Sequence, residues 1–437
     1  MADRAIVQEV NQIGVETLAA PGTAVPALIL LQAMHFALAA DAEVDMYGPD
    51  GQKYDTLSIV NKEWTGFEIS GRPTYSEIIY FLASLLTDPV ITVPGGGTNS
   101  RRWTFSPSST APDAPRTYTI EQGVKGATAA ERAAFGIIRE GTITFDRNGG
   151  NELSGAGIAQ RLTLDVPLST NEIQTLTMTG GPTGGTFTLT FDGQTTAGIA
   201  YNATAAAVQA ALEALSNIAV GDVLCAGGAL PTTPVTVEFR GVYAQTNVSL
   251  MTANSSGLTG GTTPTLTPTT TTPGVAPTAT ELRPIAPTEV SIYVDDTSGA
   301  LGTTKLLRDF IFTFQLGDRF NPIYPLNSAV ASYDGIIEVK PSTEVHLTMG
   351  NDAVGRAFLA TMRAGTTKYI RAEAIGPIIE GAITYRLRID VAAKVSAAPE
   401  AGDVDGLSTL EWTFHPVHDA GWGRAFQVEV QNIQTAL

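Results

Sequence analysis

A single cysteine, Cys225, stands in 437 residues, so no disulfide can form within the chain. Thiol chemistry of the paired kind is excluded, and assembly in a reducing cytoplasm is the natural expectation. Charge is scarce, at 16% of residues, and what there is leans acidic, with a formal net charge of −17. A surface short of Lys and Arg does not grip a phosphate backbone. It repels DNA and lets it slide, or simply keeps the chain soluble. No long apolar run is present: the most apolar stretch, Ala24 to Ala40, is broken by Gln32 and His35 and is too short for a membrane span. Met1-Ala2-Asp3-Arg4 lacks the basic-then-apolar layout of a secretion signal.

Catalytic signatures are equally thin. The four histidines are His35, His346, His415 and His418. His415-Pro416-Val417-His418 beside Asp419 lacks a third strong ligand and reads as a loop. Asp403-Val404-Asp405-Gly406 with Glu411 lacks the spacing of a calcium loop and reads as a turn, as does Asp295-Asp296 before Ser298-Gly299. Gly95-Gly96-Gly97-Thr98 has no Lys where a phosphate loop needs one, and reads as a flexible loop. Arg101-Arg102-Trp103 is one basic-aromatic triplet in an acidic chain, a weak nucleic-acid signal. No Gly-x-Ser-x-Gly elbow occurs. The expectation is a protein that is not an enzyme and uses no cofactor or metal.

What is abundant is Thr, Ala, Gly and Pro, a composition of strands and turns. Leu30 to Leu38 matches Leu306 to Phe314 at an offset of 276, with apolar residues alternating at 34, 36, 38 and at 310, 312, 314. Gly66 to Ser70 then matches Ser342 to His346. Ser76 to Leu86 and Ala353 to Met362, aligned on Phe81-Leu82-Ala83 and Phe358-Leu359-Ala360, both carry helical apolar spacing. Thr117 to Ile120 pairs with Lys368 to Arg371, Thr142 to Asp146 with Arg386 to Asp390, and Arg161 to Pro167 with Thr409 to Pro416. The spacing predicts a duplicated unit, residues 1–172 and 279–437.

Residues 173–278 differ in character. Thr175 to Met178, Phe187 to Phe191, Pro234 to Phe239 and Asn247 to Thr252 read as strands, and Ala203 to Leu215 as a helix capped by Asn202 or Thr204. The Thr/Pro/Gly tract Thr259 to Thr280 reads as a stiff, extended linker. The expectation is a small α+β domain looped out as a surface decoration. It holds Asp192, Glu213, Asp222 and Glu238 against Arg240, leaving −14 on the repeated body.

The repeated unit, an early strand, a long loop, a second strand, one amphipathic helix and further strands, resembles the tail tube domain of long, non-contractile bacteriophage tails. The resemblance implies a mainly β (α+β) fold: two tandem β-sandwich domains, each with one packed helix, that build a barrel. Four strands of each domain would join a continuous β-barrel around a channel for DNA, which passes without specific binding. In that family six single domains commonly make a ring, so two per chain implies a trimeric, pseudo-hexameric ring. Tape measure and tail end proteins are the implied partners, and the virion, assembled in host cytoplasm, the implied location, with no membrane. The long loops, Asp41 to Lys62 with Tyr47, Gly48, Pro49 and Asp50, and Gly317 to Pro341 with Asn321, Pro322 and Tyr324, would reach a neighbouring ring. Glu68, Asp146, Asp165, Glu344 and Asp390 are candidates for an acidic lumen. Two other readings stay open: a non-catalytic decoration or adhesin protein with Ig-like modules, and a hydrolase of cell-wall glycans.

Overall fold

A computed structural model describes residues 10–123, 130–166, 168, 171–326 and 332–437, the side chain of Asp165 excepted. The chain is mainly β. The first half runs β1 (Val10–Val15), β2 (Met34–Tyr47), β3 (Leu57–Gly71), α1 (Ile78–Leu85), β4 (Val90–Thr92), β5 (Arg101–Phe105), β6 (Tyr118–Gly123), β7 (Ala130–Asp146), β8 (Glu152–Ala159) and β9 (Thr163–Val166). The intervening unit holds β10 (Ile173–Thr179), β11 (Gly184–Phe191), α2 (Ala205–Glu213), β12 (Val223–Gly227), β13 (Val235–Phe239) and β14 (Thr265–Thr272). The second half holds β15 (Val290–Asp295), β16 (Asp309–Gly317), β17 (Phe320–Ile323), β18 (Gly335–Glu338), β19 (Ser342–Gly350), α3 (Ala353–Ala364), β20 (Lys368–Glu380), β21 (Ile383–Val395), β22 (Glu400–Val404), β23 (Leu407–Pro416) and β24 (Phe426–Asn432).

Alternation dictates one sheet. In β7, Gly141, Ile143 and Phe145 are buried while Glu140, Thr142, Thr144 and Asp146 turn the other way. Antiparallel pairing runs β2–β3–β8–β7 in the first half and β16–β19–β23–β22 in the second. The late part of β7 pairs with β16, Asp146 opposite Ile311 through Gly141 opposite Leu316. Eight strands, four from each half, therefore form one continuous sheet. A second layer is β1–β6–β7–β9 in the first half, using the early part of β7. In the second half it is β15–β20–β21–β24, extended by β5 and β4 of the first half.

The same order of pairing in both halves refines the alignment of the repeat. The strand β7 answers to β21 and β22 together, so 142–146 corresponds to 400–404 and not to 386–390. Likewise β23 answers to β8, and β24 to β9. Side-chain alternation has period two and cannot by itself locate a bend that splits one long strand into two.

Each half carries its helix between the third and fourth principal strands, as the spacing predicts. α3 is capped as sequence rules require: Asp352 accepts from the N–H of Val354 and Gly355, and Gly365 closes it in the left-handed region at φ 61°. α1 is buried along its whole length. Phe81 fits because Gly141 and Gly155 lack side chains: a Cβ on Gly155 would lie 2.6 Å from the Glu140 carbonyl oxygen and 3.0 Å from the Phe81 ring. Gly155→Ala is expected to destabilise the chain by about 1–3 kcal/mol, and Phe81→Ala by about 3–5 kcal/mol, both measurable by urea unfolding. One hydrophobic core spans the two halves, with Phe145 and Phe312 stacked 6.1 Å apart across the junction.

The intervening unit has its own core, including Leu176, Phe187, Leu189, Val208, Leu212 and Phe239. Thr204 is the cap of α2, accepting from Ala207 N–H at 3.3 Å. Two expectations change. Of 247–252 only Thr252 is in a strand, the short Thr252–Asn254 segment paired with β11. Much of the supposed linker is the strand β14, paired along β10 from Thr179 to Ile173. Its threonines serve β pairing as readily as a free extended chain, and composition alone does not separate the two. The unit's exit is tied down where Thr278–Ala279 pairs in parallel with Ile29–Leu30.

Candidate assembly edges and the acidic face

The eight-strand sheet ends in two strands that have a neighbour on one side only among the described residues: β2, paired with β3, and β22, paired with β23. By position in the pairing order, β2 corresponds to β16 and β22 to the late part of β7. Those two elements are the ones already joined at the centre of the chain.

One face of this sheet packs on α1, α3 and the second layer, and the other is turned to solvent. Glu68 lies on the solvent face of β3, opposite Ala37 on one side and Ala156 on the other. Asp146 is on the same face at the end of β7, where it also accepts from Asn148 N–H at 2.8 Å. Glu344 projects from β19, 3.3 Å from His346. These three candidates are thus brought to one surface. Asp390 is not: it is buried in the second layer, held by Arg371 through two contacts of 2.6 and 2.8 Å. Burial pushes its carboxyl up from the ordinary value, with Arg371 pulling against it. The side chain of Asp165 lies outside the described residues.

Sequence reasoning missed Glu140, Glu152 and Glu411, which occupy outward positions on β7, β8 and β23. The alternation through Glu140, Thr142 and Thr144 was the available signal. Glu400 stands directly opposite Glu411 in the pairing, a like-charge neighbour that costs stability.

The long loops are structured differently from each other. Residues 41–62 are mostly a hairpin: β2 and β3 run on to Tyr47 and Leu57, and only the tip with Gly48, Pro49 and Asp50 is a turn. The reason is β-branched and aromatic content, Val44, Tyr47, Ile59 and Val60, which suits a strand. Tyr47 donates to Asp45 at 3.3 Å. Of residues 317–341, the described 317–326 and 332–341 instead fold over the first half, with β17 and β18 paired as a ribbon. Asn321 accepts from Arg139 at 2.9 Å, Pro322 pairs with Ile336, and Tyr324 packs edge-on against Trp64 and Tyr333.

Contacts between the halves are polar as well as apolar. Trp103, in the fully buried part of Arg101-Arg102-Trp103, donates to Asn432 at 2.8 Å. The Gly95–Thr98 loop closes with Asn99 and Ser100 around Glu380, which accepts from Thr98, Asn99 and Ser100 main-chain N–H at 2.9, 3.0 and 2.8 Å. The hydroxyls of Ser100 and Thr98 add bonds of 2.6 and 2.9 Å. The Ser100 hydroxyl and the donors around it bring the Glu380 carboxyl down from 4.5 to about 2. A depressed pKa stabilises the fold above the ordinary carboxylate value, and that contribution is lost as pH falls from about 4.5 towards 2. The protection of the Ser100 N–H, taken relative to its intrinsic exchange rate at each pH, is expected to fall over that interval, and Glu380→Gln to remove that pH dependence.

The remaining candidates have local partners. His418 Nδ1 is 2.9 Å from Ser109 Oγ, and Asp419 accepts from Trp422 N–H. Asp403 to Gly406 forms the turn between β22 and β23, with Asp405 and Gly406 at φ 53° and 80°. No group of three His, Cys, Asp or Glu side chains placed for a metal occurs among the described residues. No helix among them is long and apolar enough to cross a membrane.

No protein-family model matches the chain. Over 93 residues, 21% of the chain, it is 40% identical to a tail sheath protein of Mycobacterium phage Bxz1. The chain spans about 15% of that relative's length, so the similarity is to a piece of a phage tail protein.

Proposed function

We propose that the chain is a structural phage tail protein whose copies close edge to edge into rings and stack as a tail tube. The observation that carries this is the eight-strand sheet, whose two open edges are the counterparts of the two strands joined at its centre. Repeating the central junction between chains pairs β22 of one copy with β2 of the next, antiparallel. The register of Phe314 opposite Ile143 then puts Leu38 opposite Ala401 of the next chain. Closure removes the exposed edges, which otherwise invite uncontrolled pairing.

Three chains supply 24 strands, eight from each. At ~4.8 Å per strand the barrel is about 37 Å across before tilt widens it, which leaves an open channel. The solvent face with Glu68, Glu140, Asp146, Glu152, Glu344 and Glu411 lines that channel. Such a wall gives DNA no counterion-releasing contacts and lets it pass. The intervening unit, tied at its root to residues 29–30, stands outside. The protein is not an enzyme in this reading and uses no cofactor.

The similarity to a tail sheath protein supports a tail location and favours a second reading, a sheath-type protein. The two separate in one experiment. The purified chain is examined by sedimentation velocity and negative-stain microscopy over a concentration series. Hollow rings or tubes formed by this chain alone support the tube; rings that form only around another, preformed tube favour the sheath.

A further inference from the structure

Residues 42–63 make a free-standing two-stranded arm with apolar side chains on both faces. Val44, Met46 and Val60 lie on one face, and Tyr47, Leu57 and Ile59 on the other, as their pairing requires. Leu57 is 64% exposed, Met46 59% and Tyr54, at the tip, 83%. A lone hairpin of this kind is marginally stable in water, and exposed apolar surface of this extent marks a contact site.

The matching arm of the second half shows what such a segment does when a neighbour is present. It leaves the sheet at Asp318, φ 46°, and lies over the first half. There Phe320 and Tyr333 are buried with Phe135, Ile137 and Ile158. Arg319 fixes it, bonding the Leu85 carbonyl, Asp113 and Glu338, and Arg139 bonds the Phe320 carbonyl at 2.7 Å. That contact adjoins the β7–β16 junction and belongs to it.

We propose that the 42–63 arm lies in the same way across the second half of the adjoining chain in its own ring, instead of reaching to the next ring. This rests on the ring reading above. By strand pairing, Ile137 and Ile158 correspond to Lys394 and His415, which are opposite each other and exposed. Beside them is a cavity of about 270 Å³ lined by Leu316, Pro341, His415, Pro416 and Phe426 among others, which offers apolar wall. Charge is complementary. The arm and its root carry Asp41, Asp45, Asp50 and Asp55 against Lys53, with Glu43 and Glu63 already paired to Lys62 and Arg161, whereas the receiving surface carries Lys340 and Lys394. Asp419 and Glu338 near it are already engaged, by Trp422 N–H and Arg319. The partner is a second copy of this chain.

The test uses the full chain with Cys225→Ser, Val44→Cys and Lys394→Cys, since Val44 corresponds to Phe320 at the 276-residue offset. A short bis-maleimide is added to assembled rings. Cross-linked dimers and trimers are expected, and none from either single-cysteine chain. A second variant replaces 44–60 by Asn-Gly, and is expected to lose rings at concentrations where the wild type forms them. Rings without chain-to-chain cross-links, or rings of the shortened chain that fail only to stack, overturn the lateral contact and leave the ring reading standing. If the wild-type chain forms no ring at all, the ring reading falls and the arm contact with it.

Discussion

Ala40→Pro is expected to suppress ring formation at the concentrations where the wild type assembles, while the single chain stays folded. The carbonyl of Phe36 accepts from Asn11 Nδ2 at 3.0 Å and from Gln122 Nε2, so it points away from β3. Alternation then turns the main-chain groups of Leu38 and Ala40 to the open edge. Ala40 is exposed, and proline there removes an outward N–H and puts a ring where a strand must approach. An edge proline costs the isolated fold little, because no bond to β3 is lost. Each seam loses about 1 kcal/mol for the bond alone, more with the steric block, and a closed ring of three repeats that loss three times. The concentration needed for rings should rise at least roughly tenfold on that basis. Sedimentation velocity reads the assembly and circular dichroism the fold; Ala40→Ser is the control. Rings from the proline variant at wild-type concentration would remove β2 from the interface.

The largest stability loss from a single polar change is expected at Glu77. This carboxylate is 1% exposed. It accepts from the N–H groups of Gln32 at 2.6 Å, Ala33 at 3.0 and 3.1 Å, and Met34 at 2.7 Å, and from the Thr280 hydroxyl at 2.5 Å. It therefore ties the entry to β2, the start of α1 and the return from the intervening unit to one point. Glu77→Ala leaves these donors buried without acceptors, at about 1–3 kcal/mol for each that water cannot reach. A total of roughly 3 kcal/mol or more follows, with Glu77→Gln intermediate because it keeps one acceptor oxygen. Urea unfolding measures both. A loss below about 1 kcal/mol for Glu77→Ala would show that water replaces the carboxylate.

Nothing around Glu77 in the sequence announces this role. Its partners lie 43 to 203 positions away, and only the folded chain brings them together. What was legible was local. Alternation at Met34, Phe36 and Leu38 marks β2, helical spacing marks α1 and α3, and Thr204 marks the cap of α2. The repeat was legible as an order of elements, because the 276-residue offset is nearly constant through the first hairpin and the helix. It was misread later, where one strand of the first half is split by a bend in the second. The acidic face was half legible: Glu68, Asp146 and Glu344 share a surface, but Asp390 has the same strand-like surroundings and is buried against Arg371. Pairing with a distant cation leaves no mark in a strand's own pattern.

The two long arms show the same limit from another side. Each has a similar length and is rich in Gly, Pro, Asp and Tyr, so sequence treats them alike. One is covered by the half beside it and the other is not, and the difference arises only from which copy stands next in the chain. In the proposed ring, the covered arm belongs to a junction made within the chain, and the bare arm would belong to one made between chains.

Electron cryomicroscopy of rings assembled from the purified chain, with the intervening units counted around each ring, decides whether chains close edge to edge. A hollow ring with three outer lobes is expected, with a sheet that continues unbroken from β22 of one chain to β2 of the next. Six lobes, or a ring in which those two strands do not meet, would contradict it.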